Sequence, residues 1–391
     1  MPYNPTTKSA GPPPPLAGGR LTIDLSALVA NYRLLAERSR PAKAAAVVKA
    51  DAYGLGIEPV SRALWAAGCR HFFVAMPQEG LTLRSVLPEA HIFVFNGLFG
   101  TEAASAYREA RLIPVLNSQS DISIWEAHGW DGEQPRPCAI HVDTGMNRLG
   151  LTAERAKALA EDNALTGALS PLLVLSHLAC TDQPDHAMNR RQLESFQALR
   201  ALFPQSESSL ANSGGIFLGG DFLCDLTRCG IALYGGRPVS GKPNPMRPVV
   251  TAEARVAQVR RIAAGEAVSY GATEVTRDTI IAVCSVGYAD GYPRSASGAG
   301  VPLRQAPGAH SGAAGFIHGR RVPVLGRITM DLTLFDVTDL GPDAVAVGDH
   351  IELFGPNMPI DEVAEAAGTI SYELLTSLGR RYHRDYVGGE V

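Results

Sequence analysis

Short apolar runs separated by amphipathic segments recur from residue 20 to about residue 245. The runs Ala44–Val48, His71–Ala75, His91–Phe95, Leu112–Leu116, Cys138–Val142, Leu172–Ser176, Ser208–Ala211 and Cys224–Arg228 read as strands. Their near-continuous apolar character predicts a parallel sheet covered on its outer face. Between them, Ile57, Val60, Leu64 and Ala67 fall on one helical face and Gly68 follows as a stop. Thr101–Ala110, Thr152–Glu161 and Asp185–Leu202 read the same way. Eight such units in about 225 residues predict a closed (β/α)8 barrel over 20–247 rather than an open doubly wound sheet, and no GxGxxG follows the first strand.

After residue 248 the texture becomes mainly β. Val249–Ile262, Ile280–Val286, Phe316–His318, Val322–Arg327, Leu332–Val337 and His350–Phe354 read as strands, and Asp361–Ala367 and Ser371–Leu378 as closing helices. The stretch 295–314, rich in Ser, Gly and Ala, reads as a long surface loop, and residues 1–19 as a flexible Pro/Gly-rich tail. The expected architecture is therefore an N-terminal barrel followed by a mainly β domain over 248–391.

Composition narrows the partners. Lys and Arg total 35 against 39 Asp and Glu, a net charge of −4, so no basic field points to nucleic acid or an anionic membrane. None of the six cysteines forms a CxxC pair, and several sit in strand-like runs, as expected for reduced thiols in a cytoplasmic protein. No 18-residue apolar run and no secretion signal is present. The histidines are scattered, without metal-ligand spacing.

Candidate chemistry collects at the strand ends, where β/α barrels carry their active sites. Lys49 ends the first strand before a Gly-rich turn, a placement suited to a Schiff-base lysine. Asp143–Arg148 follow the fifth strand, His177 the sixth, Asn212–Gly215 the seventh, and Arg228–Ile231 the eighth. Singly, each has an ordinary structural reading: a packed histidine, an ion-pairing arginine, a glycine turn. Together they make one rim. Gly230 and Ile231 occupy the usual phosphate position of such barrels, and Ser213 adds a hydroxyl. A phosphate cradle beside a strand-end lysine suggests pyridoxal 5′-phosphate.

Seven segments carry a resemblance: Ala46–Gly56 (AVVKADAYGLG), His141–Gly150 (HVDTGMNRLG), Ser176–Asp182 (SHLACTD), Arg228–Gly235 (RCGIALYG), Val268–Thr273 (VSYGAT), Gly287–Arg294 (GYADGYPR) and Gly326–Asp331 (GRITMD). From about residue 20 to the end the chain resembles the alanine racemases, pyridoxal-phosphate enzymes built on a β/α barrel with a C-terminal β domain. The resemblance implies that Lys49 holds the cofactor and serves as one acid/base. Tyr270 of the partner subunit in a homodimer serves as the other, because racemisation removes a proton from one face and returns one to the opposite face. A phenol of ordinary pKa, about 10, is a poor base near neutrality, so nearby cations are expected, with His177 and Arg228 in that place.

The resemblance also implies that Arg228 faces the pyridine nitrogen and, able only to donate, leaves it unprotonated. Arg148 would meet the cofactor phenolate and the substrate carboxylate, together with the backbone N–H of the partner subunit's Met330. Tyr53, Ser213, Gly230, Ile231 and Tyr372 would take the phosphate, with His177 and Asn212 beside the cofactor. Asp182, Tyr288 and Arg294 would line the substrate path. One departure stands out: His141 replaces the carbamylated lysine that members of the family often carry, so an anion or a second carboxylate is expected to position Arg148. The rival readings are a noncatalytic pyridoxal-phosphate carrier, a basic amino-acid decarboxylase and a racemase of broader small amino acids. The residues beyond the barrel argue against the carrier and VSYGAT against the decarboxylase. The bulk of Tyr270 and Tyr372 favours a small substrate. The same residues would serve D-alanine supply for peptidoglycan or alanine breakdown.

Overall fold

The computed structural model describes residues 11–128, 136–162, 169–305 and 311–389. These fall into two compact units. One comprises Leu28–Leu233 and Arg237–Met246; the other takes in the chain up to Ala27, Tyr234–Gly236 and the chain from Arg247.

The first unit is the barrel. Its strands are β2 (Lys43–Val47), β3 (His71–Val74), β4 (His91–Val94), β5 (Ile113–Leu116), β6 (Arg136–His141), β7 (Leu169–Leu175), β8 (Glu207–Ser209) and β9 (Leu226–Cys229); β1 (Gly19–Asp24) lies in the other unit. The order β8-β7-β6-β5-β4-β3-β2-β9 is parallel throughout. The seam between β8 and β9 is closed by Asp225 N–H on Ser208 O at 3.0 Å and Arg228 N–H on Ala211 O at 2.9 Å. Strands such as HFFV and IPVL are buried along nearly their whole length because the core and the covering helices occupy both faces. Phe73 stacks on Phe93 and on Phe95 at centroid distances of 4.7 and 4.9 Å, filling one side of the interior. All eight expected barrel strands are present, with ends shifted by up to three residues.

The second unit is mainly β. The long strand β10 (Val250–Ile262) pairs antiparallel with β1, with β13 (Thr279–Cys284) and with β17 (His350–Phe354). The hairpin β11 (Ala267–Val268) and β12 (Thr273–Glu274) stands apart, while β14 (Ala314–Ile317) and β15 (Arg320–Pro323) extend the sheet beyond β17, and β16 (Thr333–Asp336) pairs with β13. The last strand, β18 (Tyr382–Val387), runs parallel to β1.

Three expectations are corrected here. The barrel does not begin at residue 20, because Leu21 and Ile23 bury themselves in the sheet of the second unit between β10 and β18. The flexible-tail reading of residues 1–19 fails for Gly11–Gly18: Arg255 N–H donates to Gly18 O at 2.9 Å and His383 Nδ1–H to Pro12 O at 2.9 Å. Residues 1–10 lie outside the described residues. The 295–314 stretch is not a plain surface loop either, since Ser297 and Val301 are buried and Arg304 donates to the carbonyls of Ser295, Ser297 and Ala366. Its residues 306–310 lie outside the described set. Among the described residues no helix is long and apolar enough to cross a membrane.

Candidate active site

The barrel rim is built around an unusual turn. After β2, Val48 N–H bonds to Phe73 O at 2.9 Å, and the chain then passes through Lys49 into four successive left-handed residues. Ala50, Asp51, Ala52 and Tyr53 have φ of 54, 55, 53 and 55°. Such a run costs roughly 1–2 kcal/mol per non-glycine residue, so its surroundings must hold it. Glu79 does much of this: its carboxylate accepts the N–H groups of Ala50 (2.6 Å), Ala75 (2.8 Å) and Met76 (3.0 Å). Asp51 in turn accepts from Ile57 N–H at 2.7 Å. The Lys49 ammonium, 5.9 Å from the Phe95 ring centroid, is destabilised first by burial and then by Arg148, with Glu79 opposing. The balance lowers its pKa toward the neutral amine.

Arg228 lies 1% exposed in β9. Nη1 donates to Ser209 O and Oγ, and Nη2 to Ser176 O and Leu210 O, with a long contact of 3.5 Å to His177 Nδ1. Burial lowers its pKa to about 10, which leaves it charged at neutrality. Its Nε, equally buried, has no partner among the described residues. His177 departs from expectation. Burial, then Arg228, Arg148, Lys49 and His141, drives its pKa well below the usual value, so it supplies no cation. Of the expected pair of cations, only Arg228 is charged.

Behind this pair runs a satisfied polar chain. Gln192 donates to Thr144 Oγ1 (3.1 Å) and His177 O (2.9 Å) and accepts from Ala179 N–H (2.9 Å), while Thr144 Oγ1 meets Ser176 Oγ at 2.8 Å. It ties together the loops after β6 and β7.

The expected phosphate group assembles compactly. Ser213 Oγ accepts from Gly230 N–H at 2.8 Å and Ala232 N–H at 3.3 Å. A Cβ on Gly230 would lie 2.9 Å from the Tyr53 hydroxyl, so Tyr53 reaches the same spot and a side chain there would have to displace it. Asn212 holds the turn through Gly215 N–H at 2.9 Å and Thr181 Oγ1 at 3.0 Å, and Ile231 is buried beside it.

Arg148 sits on a loop shaped by Asp143, whose carboxylate accepts from the N–H groups of Gly145, Met146 and Asn147 at 3.0 to 3.2 Å. The acidic residue of this loop therefore holds its backbone. Asp182 is exposed, and its carbonyl accepts Ser240 N–H at 2.9 Å.

Tyr270, Tyr288, Arg294, Met330 and Tyr372 belong to the second unit. Tyr270, 73% exposed, tops the β11–β12 hairpin between left-handed Ser269 and Gly271. Ser269 Oγ donates to Arg327 O at 2.9 Å, and a Cβ on Gly271 would lie 2.6 Å from Arg327 Cζ. Met330 and Tyr372 are likewise exposed. Glu79 and Gln192 escaped the sequence reading, because a carboxylate or amide acting on groups distant along the chain leaves no local signal.

Two family models match the chain: "Alanine racemase, N-terminal domain" over residues 23–238 and "Alanine racemase, C-terminal domain" over 249–386. The chain belongs to the alanine racemase family. It is 56% identical to an alanine racemase of Rhizobium meliloti over 95% of this chain and 98% of that one. It is 54% identical to a biosynthetic alanine racemase of Agrobacterium fabrum, covering 94% and 93%. The crystal structure of alanine racemase from Bartonella henselae with covalently bound pyridoxal phosphate superposes with a TM-score of 0.86 at 41% identity, covering 95% of this chain and all of that one.

The barrel residues of this alanine racemase family member fit that cofactor. The orphaned Arg228 Nε is a buried donor suited to a ring-nitrogen acceptor. The Ser213 hydroxyl, which accepts the Gly230 N–H, keeps its own O–H to donate to a phosphate, and burial lowers the pKa of Lys49, the direction that carbonyl capture needs.

Proposed function

We propose that the protein interconverts L- and D-alanine with pyridoxal 5′-phosphate as cofactor. The observation that carries the reading is Lys49, at the entrance to a strained turn with burial lowering its pKa, and on the adjacent strand β9 a buried guanidinium that has one donor to spare. Lys49 anchors the cofactor, and Tyr53, Ser213, Gly230, Ile231 and Tyr372 take its phosphate, with His177 and Asn212 alongside. Arg228 meets the ring nitrogen as a donor only. Once bound, the cofactor supplies the electron withdrawal that acidifies the substrate Cα–H.

Lys49 Nζ then holds or delivers the proton on one face of the substrate, and the hydroxyl of the partner subunit's Tyr270 does so on the other. Arg148 and the peptide of the partner subunit's Met330 grip the carboxylate, while Asp182, Tyr288 and Arg294 line the approach. Neutral His177 contributes orientation through Arg228 rather than charge. The working form is a cytoplasmic homodimer with the two compact units as its domains. The same geometry serves alanine supply and alanine breakdown, since a two-sided proton exchange has no built-in direction.

The test is incubation of the pyridoxal-phosphate-loaded protein with L-alanine and chiral quantification of D-alanine. Wild type should approach an equal mixture, while Lys49→Ala should lose at least about 10³-fold in rate. A cofactor-loaded wild type that leaves alanine unchanged would overturn the assignment.

A further inference from the structure

Arg381, directly before β18, serves two carboxylates in the second unit. Nε and Nη2 fork onto Asp290 at 2.6 and 2.7 Å, and Nη1 reaches Asp331 at 2.7 Å. The two arms differ in setting: the Asp290 side chain is 4% exposed and that of Asp331 56%. Asp290 also accepts Gly287 N–H at 3.0 Å, and the turn it organises lies directly on the neighbouring segment. Tyr288 N–H donates to Thr329 O and Ala289 N–H to Met330 O, both at 3.0 Å. A Cβ on Gly287 would stand 2.3 Å from Thr329 O and 2.5 Å from Met330 O, so the segments touch backbone to backbone. One guanidinium thus clamps both the turn that carries Tyr288 and the loop that carries Met330.

We propose that Arg381 is a positioning residue for substrate: through Asp331 it sets the orientation of the Met330 peptide, and with it the grip on the alanine carboxylate. This rests on the carboxylate role given to Met330 above. An exposed ion pair contributes little to stability, so the Asp331 arm is poorly explained as a fold-stabilising device. A planar fork held at both ends does restrict orientation, which is what a peptide N–H aimed at a carboxylate requires. The Asp290 arm is the structural half of the clamp, because removing the arginine would leave a buried carboxylate unpaired.

Asp331→Asn, Arg381→Lys and Arg381→Ala, made in the full cofactor-loaded chain, separate these parts. The readouts are kcat and KM for alanine, the melting temperature, and the dissociation constant of propionate, a carboxylate probe that cannot react. Asp331→Asn should raise KM and the propionate constant by about 3- to 10-fold while kcat stays within about twofold and the melting temperature is unchanged. Arg381→Lys, with charge but no fork, should weaken propionate as much or more. Arg381→Ala should add a lowered melting temperature. Unchanged KM and propionate affinity in both Asp331→Asn and Arg381→Lys would overturn the proposal, and these two decide it even if Arg381→Ala fails to fold. Propionate affinity is read without turnover, so a wild type that binds propionate but leaves alanine unchanged would fault the assigned reaction and leave the clamp to be judged on its own.

Discussion

His141 donates its Nδ1–H to Asn117 Oδ1 across 2.7 Å, and the direction is set because the Asn117 amide nitrogen is engaged by the carbonyls of Phe95 and Val115, each at 2.9 Å. The imidazole at the position where the family often carries a charged lysine derivative is therefore a neutral acceptor through Nε2. Burial first, then Arg228, with Arg148 adding and Asp143 opposing, brings its pKa down to about 4 from an ordinary 6.5.

That shift has a sign. The unfolded chain takes up a proton at His141 near pH 6.5 and the folded one only near pH 4, so stability is intact above pH 6.5 and falls as the pH drops toward 4. The drop amounts to about 3 kcal/mol at most for this residue. His71, also lowered to about 4 by burial and by His91, adds to the same window. Urea titrations between pH 4.5 and 7 should show the slope, and His141→Gln should reduce it by nearly one proton. An unchanged slope in that variant would assign the acid sensitivity elsewhere.

Gly230 and Tyr53 should couple. A methyl group on Gly230 would meet the Tyr53 hydroxyl at 2.9 Å, so Gly230→Ala is expected to push Tyr53 aside and weaken pyridoxal-phosphate retention by roughly tenfold, about 1–2 kcal/mol. Tyr53→Phe removes the colliding oxygen. In a double-mutant cycle on cofactor affinity, the pair should cost less than the sum of the single changes; simple additivity would contradict the contact.

Arg228→Glu is expected to have two effects. It removes the donors that serve the carbonyls of Ser176, Ser209 and Leu210, which should lower stability by about 1–3 kcal/mol. It also places an acid where a ring nitrogen is proposed to lie, so that this nitrogen can be protonated and slow transamination should join racemisation. Pyruvate formation during turnover measures the second effect, and its absence in a folded, cofactor-loaded variant would argue against the donor-only role.

The left-handed run predicts an inverted response to glycine. Alanine-to-glycine changes in helices cost about 0.5–1 kcal/mol, but Ala50 sits at φ 54° with an exposed side chain. Relief of backbone strain should offset the added unfolded-state entropy, so Ala50→Gly should be neutral or stabilising by up to about 1 kcal/mol. Chemical denaturation gives the number, and a loss above about 1 kcal/mol would show that the turn is not strained.

Much of the molecule was legible along the chain. The eight barrel strands announced themselves because strands buried on both faces must be apolar throughout, as in HFFV and IPVL. Lys49, Arg148, Ser213, Arg228 and Gly230 stood out because reactive and anion-binding groups at strand ends occur in recognisable local strings. The strand Gly19–Asp24 shows the limit. It was not among the expected strands, its partners are about 230 and 360 positions away in β10 and β18, and no local pattern encodes that pairing.

Sequence alone thus determined the periods, the order of elements and the chemical identity of the rim residues, since these depend on neighbours within a few positions. Tertiary structure decided where the first strand and the Gly11–Gly18 segment pack, that Glu79 stabilises the turn after Lys49, that Arg228 keeps a donor in reserve, and that His141 and His177 are neutral. The reason is physical: long-range pairing, burial and the local field belong to groups brought together from distant parts of the chain, and they come into being only when it folds.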